Sequence, residues 1–258
     1  MIRKVFIAFV LLALTGGGVR SIVYAQRGAA APAIPRTADG KPDFQGIWQV
    51  KNKAAADLLG ERGVVEGGEI PYKPEAAAKR RENFNKRATE DPLNSCFMPG
   101  VPRIMYLDYP YQIFQTKDHV AITFEWSQVY RLIYTNGRKG PVGIEAWMGD
   151  SRGRWEGDTL VVNVGSHNDR TWFDAAGNHH SDALALVERY TMQDADTIQY
   201  EVTVTDTKVF TKTWKIRMPI ARVKNKPRLL EYQCQAEKEE KAGLFERDPR
   251  TWYPGGTK

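Results

Sequence analysis

The side chains most able to do chemistry are concentrated in one short stretch, from Ser166 to Asp182. This stretch holds three of the four histidines of the protein together with three carboxylates. An imidazole beside a carboxylate is a common general acid or base, because histidine changes its charge near neutral pH. The stretch therefore predicts acid–base chemistry, as in a hydrolase, a lyase or an isomerase, on a small neutral molecule, with cyclic and aromatic molecules among the candidates.

The strand predicted after this stretch adds a buried acid. In residues 184–192 every second side chain is bulky and apolar except Glu188, which shares their side of the strand and should face the core with them. If extended pairing starts earlier, His180 and Asp182 point to the same side. The predicted catalytic residues are His180, Asp182, Glu188 and Asp174.

Glu188 also has a structural interpretation. A carboxylate among apolar neighbours must be paired, hydrogen bonded or protonated. A cation on a neighbouring strand, such as Arg131 or Arg217, would satisfy it without any catalytic role. Both interpretations stay open at this point.

Aromatic side chains near the stretch could form a stacking surface for a sugar or an aromatic ligand. Such rings are also common in β-barrel cores. The predicted substrate-binding residues are Trp172, Trp147, Tyr190 and His167.

A metal site is the less favoured alternative, and no cofactor is expected. His179 and His180 with a carboxylate form a recognised ligand set. However, adjacent residues of a strand point in opposite directions, so both imidazoles reach one ion only if the chain turns there. Their spacing matches no known zinc signature.

From Tyr111 onward the chain alternates with period two and predicts strands joined by short turns. Asn136-Gly137 is a strong hairpin signal, because both residues tolerate positive φ. The runs 209–218 and 229–234 are predicted as the last two strands. The meander order favours a closed barrel, because a two-sheet sandwich usually needs Greek-key crossovers. We therefore predict an all-β antiparallel meander that closes into a lipocalin-like β-barrel.

Residues 51–110 interrupt this pattern with a partly helical excursion. The segments 54–59 and 75–87 favour helix, and Pro74 suits a first helical turn. Gly and Pro residues between and after them favour loops. We expect the excursion to wrap around the outside of the barrel.

The N-terminus predicts export. A short basic opening precedes an apolar run of ten residues, Val5 to Leu14, and small residues around Ala25 suit a signal peptidase. The run is about half the roughly 20 residues needed to span a bilayer, so no stable membrane anchor is expected after cleavage. The predicted organisation is a signal peptide at 1–25, a flexible leader at 26–42 and a single barrel domain at 43–258. The predicted location is periplasmic or secreted.

Charge argues against a nucleic-acid partner. Removal of residues 1–25 takes away three cations, Arg3, Lys4 and Arg20, and no acid, which lowers the formal charge from +6 to +3. A charge this modest does not favour nucleic-acid binding, and a small-molecule ligand or substrate is the expected partner. The sequence does not indicate an oligomeric state.

The two cysteines, Cys96 and Cys234, are predicted to form one disulfide. An even count in an exported chain favours a bridge. A pair of buried thiols or a metal pair is the alternative, but the two residues lack the CxxC spacing of a metal site.

Two resemblances add to these expectations. Gly46-x-Trp48 resembles the opening of lipocalin-like barrels, where the Trp plugs the barrel floor. Five blocks together resemble a family of secreted bacterial proteins without an established reaction: 39–48 (DGKPDFQGIW), 100–103 (GVPR), 154–162 (RWEGDTLVV), 168–172 (NDRTW) and 180–184 (HSDAL). This resemblance implies an exported single domain. That family often has Phe at the position of His167, which favours His180, Asp182 and Glu188 as the catalytic set.

Three functions compete at this stage. The first is an exported acid–base enzyme with its site in the barrel mouth or interior. The second is a non-catalytic, lipocalin-like periplasmic carrier of an apolar or aromatic ligand. The third is an envelope-associated structural protein in which the His- and Asp-rich loop only stiffens a rim.

Overall fold

A computed structural model describes residues 33–244 of the chain. The predicted signal peptide, residues 26–32 of the predicted leader and residues 245–258 lie outside this range. The described residues belong to one compact unit. Its strands and helices are β1 (Gly46–Val50), α1 (Pro74–Glu90), β2 (Tyr111–Gln115), β3 (His119–Phe124), β4 (Tyr130–Tyr134), β5 (Asp150–Glu156), β6 (Thr159–Gly165), β7 (Ala185–Asp194), β8 (Thr197–Thr205), β9 (Trp214–Arg222) and α2 (Cys234–Lys241).

The strands form a closed barrel in chain order. Each strand pairs with the next one, and β9 pairs with β1 to close the ring. Short turns at Lys117-Asp118, Gly157-Asp158 and 195–196 join β2 to β3, β5 to β6 and β7 to β8. The prediction of an all-β, lipocalin-like barrel is therefore confirmed, and the sandwich alternative is wrong.

One seam of the barrel departs from the antiparallel pattern. β4 and β5 run parallel, and only two residue pairs join them, Ile133 with Ser151 and Tyr134 with Arg152. The hairpin predicted at Asn136-Gly137 is therefore wrong. Gly137 does adopt a positive φ of 73°, but residues 135–149 carry the chain back along the barrel before β5 begins, so β5 runs in the same direction as β4. The first three residues of β4 have no partner in β5.

The barrel interior follows the predicted alternation. In β7 the buried residues are Leu186, Glu188, Tyr190 and Met192, as the sequence indicates. The same alternation buries one side of β8 and β9. Eight of the nine strands contribute buried side chains to one apolar core. The exception is β5, whose Trp155 is only partly buried and packs against that core.

The Gly-x-Trp element begins the first strand, as predicted. Trp48 is fully buried and donates from Nε1 to the Phe44 carbonyl at 2.7 Å. The Arg222 guanidinium of β9 lies over its ring at 4.1 Å. Gly46 has a φ of +124°, and a side chain there would collide with the Arg222 guanidinium. This close approach explains the glycine.

The excursion at 51–110 contains one α-helix, α1, which begins at Pro74 as predicted. Residues 54–59 form turns instead of the predicted helix, because Leu58 is buried and its amide is held by Asp174 at 2.8 Å. A second segment, Arg103–Tyr106, forms a buried 3-10 helix in the core.

The C-terminal part corrects two predicted strands. The strand expected at 209–218 occupies Trp214–Arg222 instead, because residues 206–210 form a turn whose amides bond Asp206. The strand expected at 229–234 is reduced to a single bridge between Tyr232 and Trp126, and α2 begins at Cys234.

Part of the predicted leader is described. Residues 33–42 contain a turn closed by a bridge between Arg36 and Pro42, and Arg36 pairs with Asp158 at 2.7 Å. Among residues 33–244, no helix is both long and apolar enough to cross a membrane.

The disulfide between Cys96 and Cys234 is confirmed. It joins the excursion to the first residue of α2 and links positions 138 residues apart in sequence.

Replacing both cysteines by Ala should lower the free energy of unfolding by about 5 kcal/mol, because closing so long a loop restricts the unfolded chain. Urea denaturation of the double variant against the oxidised wild type measures the difference. A loss below about 1 kcal/mol would contradict a stabilising role for the bridge.

Candidate functional site

A buried ion pair spans the barrel interior. The Arg131 guanidinium on β4 makes a two-pronged contact with the Glu188 carboxylate on β7, with Nη1 donating to Oε1 at 3.0 Å and Nη2 donating to Oε2. Both side chains are at least 98 % buried, with exposures of 2 % and 0 %. Burial lowers the pKa of Arg131, but the neighbouring Glu188 carboxylate outweighs it and holds the pKa above its ordinary value. This is the structural partner that the sequence left open for Glu188.

Tyrosine and serine side chains complete this cluster. The hydroxyls of Tyr190 and Tyr200 donate to Glu188 Oε1 at 3.0 and 2.5 Å. Arg131 Nε donates to Ser151 Oγ at 3.0 Å. The buried Tyr111 hydroxyl interacts electrostatically with Glu188 but has no hydrogen-bond partner in the described part of the chain. The Glu188 carboxylate is therefore saturated by protein donors.

His167 and His180 lie together beyond this cluster. Their ring centroids are 6.0 Å apart, and both side chains are buried. His180 contacts Thr171 Oγ1 through Nε2 at 2.7 Å and the Ser181 carbonyl through Nδ1 at 2.9 Å. Burial lowers the pKa of both, that of His167 to about 4. His180 therefore uses both ring nitrogens within the protein and is neutral at pH 7.

The predicted acids Asp174 and Asp182 lie in different surroundings. Asp174 is fully buried and accepts from the Leu58 amide and from the amide and side chain of Asn178. Burial raises its pKa to about 6 despite these bonds. Asp182 is exposed and pairs with Lys208 at 2.6 Å, which lowers its pKa. Asp174 thus ties the excursion to the loop, and Asp182 faces solvent.

The four predicted catalytic residues therefore have separate hydrogen-bond partners and do not share a hydrogen bond among the described residues. Their catalytic roles stay predictions.

The two histidines considered as metal ligands, His179 and His180, also make different contacts. The His179 ring stacks on Tyr72 at a centroid distance of 5.6 Å, and burial lowers its pKa to about 4. His180 already uses both nitrogens. In the described range, no group of three or more His, Cys, Asp or Glu side chains could hold a metal ion. The metal site stays a hypothesis for elemental analysis.

The predicted stacking residues do not form one surface. Trp172 is buried, and its backbone pairs with that of His179 in an isolated β-bridge. Tyr190 packs against Tyr200 in the interior at 4.9 Å. Trp147 instead lies near the surface, stacked on Phe97 at 5.1 Å.

A crevice of about 630 Å³ opens at the parallel seam, and Trp147 is part of its wall. It lies beside the part of β4 that has no partner in β5. Eight of its fifteen lining residues are apolar or aromatic: Met98, Val129, Tyr130, Leu132, Tyr134, Ala146, Trp147 and Met148. Two of these side chains are strongly exposed, Tyr130 at 74 % and Met98 at 45 %. Arg131 and Ser151 of the buried cluster also line it.

One wall of the crevice is fixed by close backbone packing. Gly149 has a φ of +61°, and a Cβ there would lie 2.7 Å from both His167 Nε2 and the Gly165 carbonyl oxygen. Ala146 pairs with His167 across the same contact. His167, predicted to bind substrate, therefore packs against the residues that form this wall.

Ser151 has a sequence signal that the predictions above do not include. Gly149-Asp150-Ser151-Arg152-Gly153 has the spacing of the nucleophile elbow of serine hydrolases. That elbow needs a strained turn from strand to helix, whereas Ser151 lies within β5 and pairs with Val164 of β6. The match is therefore one of spacing alone. Tyr200 could have been found from strand alternation, because it shares the buried side of β8 with Ile198 and Val202.

Comparison of the sequence with models of known protein families and with curated proteins found no match. The function is therefore inferred from the barrel and from the geometry of its side chains.

Replacing Glu188 by Gln should lower the free energy of unfolding by about 3 to 5 kcal/mol, because it leaves the Arg131 charge buried without a partner. The double variant Arg131→Met/Glu188→Met should lose less, since no unpaired charge remains. Urea denaturation of both variants tests this. A Glu188→Gln variant as stable as the wild type would show that the pair is not structural.

Acid should destabilise the protein partly through His167. Its pKa is about 4 in the folded protein against an ordinary 6.5. The unfolded chain therefore binds more protons between these values, and stability is lost as the pH falls through this window. Between pH 7 and pH 5 the variant His167→Phe should lose about 2 kcal/mol less than the wild type.

Urea denaturation at both pH values measures this difference. His179 shifts in the same direction and Asp174 in the opposite one, but both are present in each protein. His119→Phe, on the barrel wall, is the matched control for the loss of an imidazole. Equal acid losses in His167→Phe and the wild type would contradict the burial effect.

Proposed function

We propose that this protein is a non-catalytic, lipocalin-like carrier that binds an apolar or aromatic small molecule in the crevice between β4 and β5. The observation that carries the proposal is the crevice itself. Its volume of about 630 Å³ falls within the roughly 300–1,000 Å³ of small-molecule sites. Eight of its fifteen lining residues are apolar or aromatic, and its polar residues include the buried Arg131 and Ser151; apolar walls with placed polar groups are typical of such sites.

The aromatic wall is held in place before any ligand arrives. Trp147 is stacked on Phe97, and the Arg170 guanidinium lies over the Trp147 ring at 5.9 Å. A fixed aromatic ring loses little conformational freedom on binding. Neighbouring apolar surface, including Tyr130 and Met98, is left in contact with water, and its burial by a ligand would favour binding.

The acid–base alternative has less support in the geometry. Glu188 is saturated by Arg131 and two tyrosines, and Asp174 holds main-chain amides. His180→Ala distinguishes the two functions. A carrier should bind its ligand nearly as before, whereas an acid–base enzyme should lose turnover by about two to four orders of magnitude.

We also propose an exported location and membership in the secreted bacterial family suggested by the five sequence blocks. The disulfide supports export, because such bridges persist in oxidising compartments. Mass determination of the mature protein would test cleavage after Ala25.

The crevice should bind 2-ethylnaphthalene, an aromatic probe without hydrogen-bonding groups, at one molecule per chain. Trp147→Ala should weaken binding about fivefold, because an aromatic contact contributes about 1 kcal/mol beyond the area it buries. Equilibrium dialysis measures both quantities.

Phe114→Ala is the matched control, because Phe114 is an exposed aromatic side chain on β2 that does not line the crevice. It should bind like the wild type. Absence of saturable binding, or equal losses in both variants, would contradict the proposal.

A further inference from the structure

The two most buried residues that line the crevice, Arg131 and Ser151, form its floor and carry hydrogen-bond donors that no acceptor among residues 33–244 uses. Ser151 Oγ accepts from Arg131 Nε at 3.0 Å, and within residues 33–244 no acceptor receives the Ser151 hydroxyl hydrogen. Arg131 has five N–H groups. Ser151, Tyr190 and Glu188 account for four of them. One N–H on Nη2 remains.

These donors belong to a built site. Ser151 is 3 % exposed and the Arg131 side chain is 2 % exposed, yet both line the crevice. Arg131 is held by Glu188, and Ser151 by its place in β5. A donor fixed in a poorly hydrated place discriminates strongly, because leaving it unpaired beneath a ligand costs free energy.

The charges around the crevice favour a neutral ligand. The Arg131 charge is matched by Glu188, and Asp150 on the rim is matched by Arg152 at 2.6 Å. The remaining charged residue in the lining is Glu145, which makes no ion pair in the described part of the chain. An anionic ligand would therefore meet an acid without gaining an unpaired cation in the lining.

We infer that the ligand is a neutral aromatic molecule that carries a carbonyl or a similar hydrogen-bond acceptor, which the Ser151 hydroxyl and the free N–H of Arg131 recognise at the crevice floor. This inference rests on the proposed carrier function and adds the ligand class to it. Ser151 is then the residue that selects the ligand.

Three probes of similar size test the inference by equilibrium dialysis: 2-acetylnaphthalene, 2-ethylnaphthalene and 2-naphthoate. The acetyl compound offers a carbonyl where the ethyl compound offers a methylene group. It should bind the wild type about fivefold more tightly, as expected for one neutral hydrogen bond. The naphthoate should bind less tightly than the acetyl compound.

Variants at position 151 assign the preference to the hydroxyl. In Ser151→Ala the preference for the acetyl probe should fall, because only N–H groups of Arg131 remain to meet the carbonyl, whereas Ser151→Thr keeps a hydroxyl and should keep the full preference. Infrared spectroscopy on the wild type gives a measurement that needs no variant. The carbonyl stretch of bound 2-acetylnaphthalene should move to lower wavenumber than in an apolar solvent.

The outcomes separate the two claims. If neither neutral probe binds the wild type, the carrier function fails and the ligand class fails with it. If the acetyl and ethyl probes bind the wild type equally and the carbonyl stretch does not move, the ligand class alone is overturned. Tightest binding of 2-naphthoate would overturn the neutral class, and an unchanged preference in Ser151→Ala would overturn the role of Ser151.

Discussion

The ion pair between Arg131 and Glu188 is the contact on which the rest of the structure depends. Two charges removed from water are tolerated only because each has the other and further hydrogen bonds. The pair ties β4 to β7 across the interior, and Tyr190, Tyr200 and Ser151 extend it to β8 and β5. Side chains therefore hold β4 in place at the seam where only two residue pairs join it to β5.

The open seam follows from the same arrangement. Because β5 runs parallel to β4 and pairs only with its last two residues, the first three residues of β4 have no backbone partner in β5. In an ordinary antiparallel meander this edge would be covered. Here the edge becomes one side of a crevice, and the segment before β5, fixed by the packing of Gly149 on His167, becomes the other. The polar cluster that stabilises the barrel also supplies the floor of the proposed binding site.

Strand alternation was enough to predict the barrel and the inward position of Glu188, because a side chain two residues from a buried one shares its environment. The disulfide could also be predicted from the sequence, since only two cysteines are present. The parallel pairing of β4 with β5 could not be predicted in this way. The chain does bend at Asn136, whose side chain accepts from the Arg138 amide, but the direction of the following strand depends on distant packing. Strand alternation places Arg217 on the exposed side of β9, between the buried Ile216 and Met218. It does not place Arg131 inside, because the bulkier apolar residues of β4, such as Tyr130 and Leu132, lie on the opposite side of the strand.

The catalytic set illustrates the same limit. His180 and Asp182 are two residues apart, and an extended chain would place them on one side. The chain turns at Ser181 instead, because Asp206 accepts from both its amide and its hydroxyl. His180 is thereby directed into the core and Asp182 toward Lys208. Contacts between distant segments decided these orientations, and spacing along the chain does not encode them.

The most direct test of the binding site is a titration of the isotope-labelled wild-type protein with 2-ethylnaphthalene, followed by two-dimensional amide NMR. The largest shift changes should fall in residues 127–134 and 145–151, at the seam. Largest changes in residues 166–182, with the seam unaffected, would contradict it and move the site to the His- and Asp-rich loop.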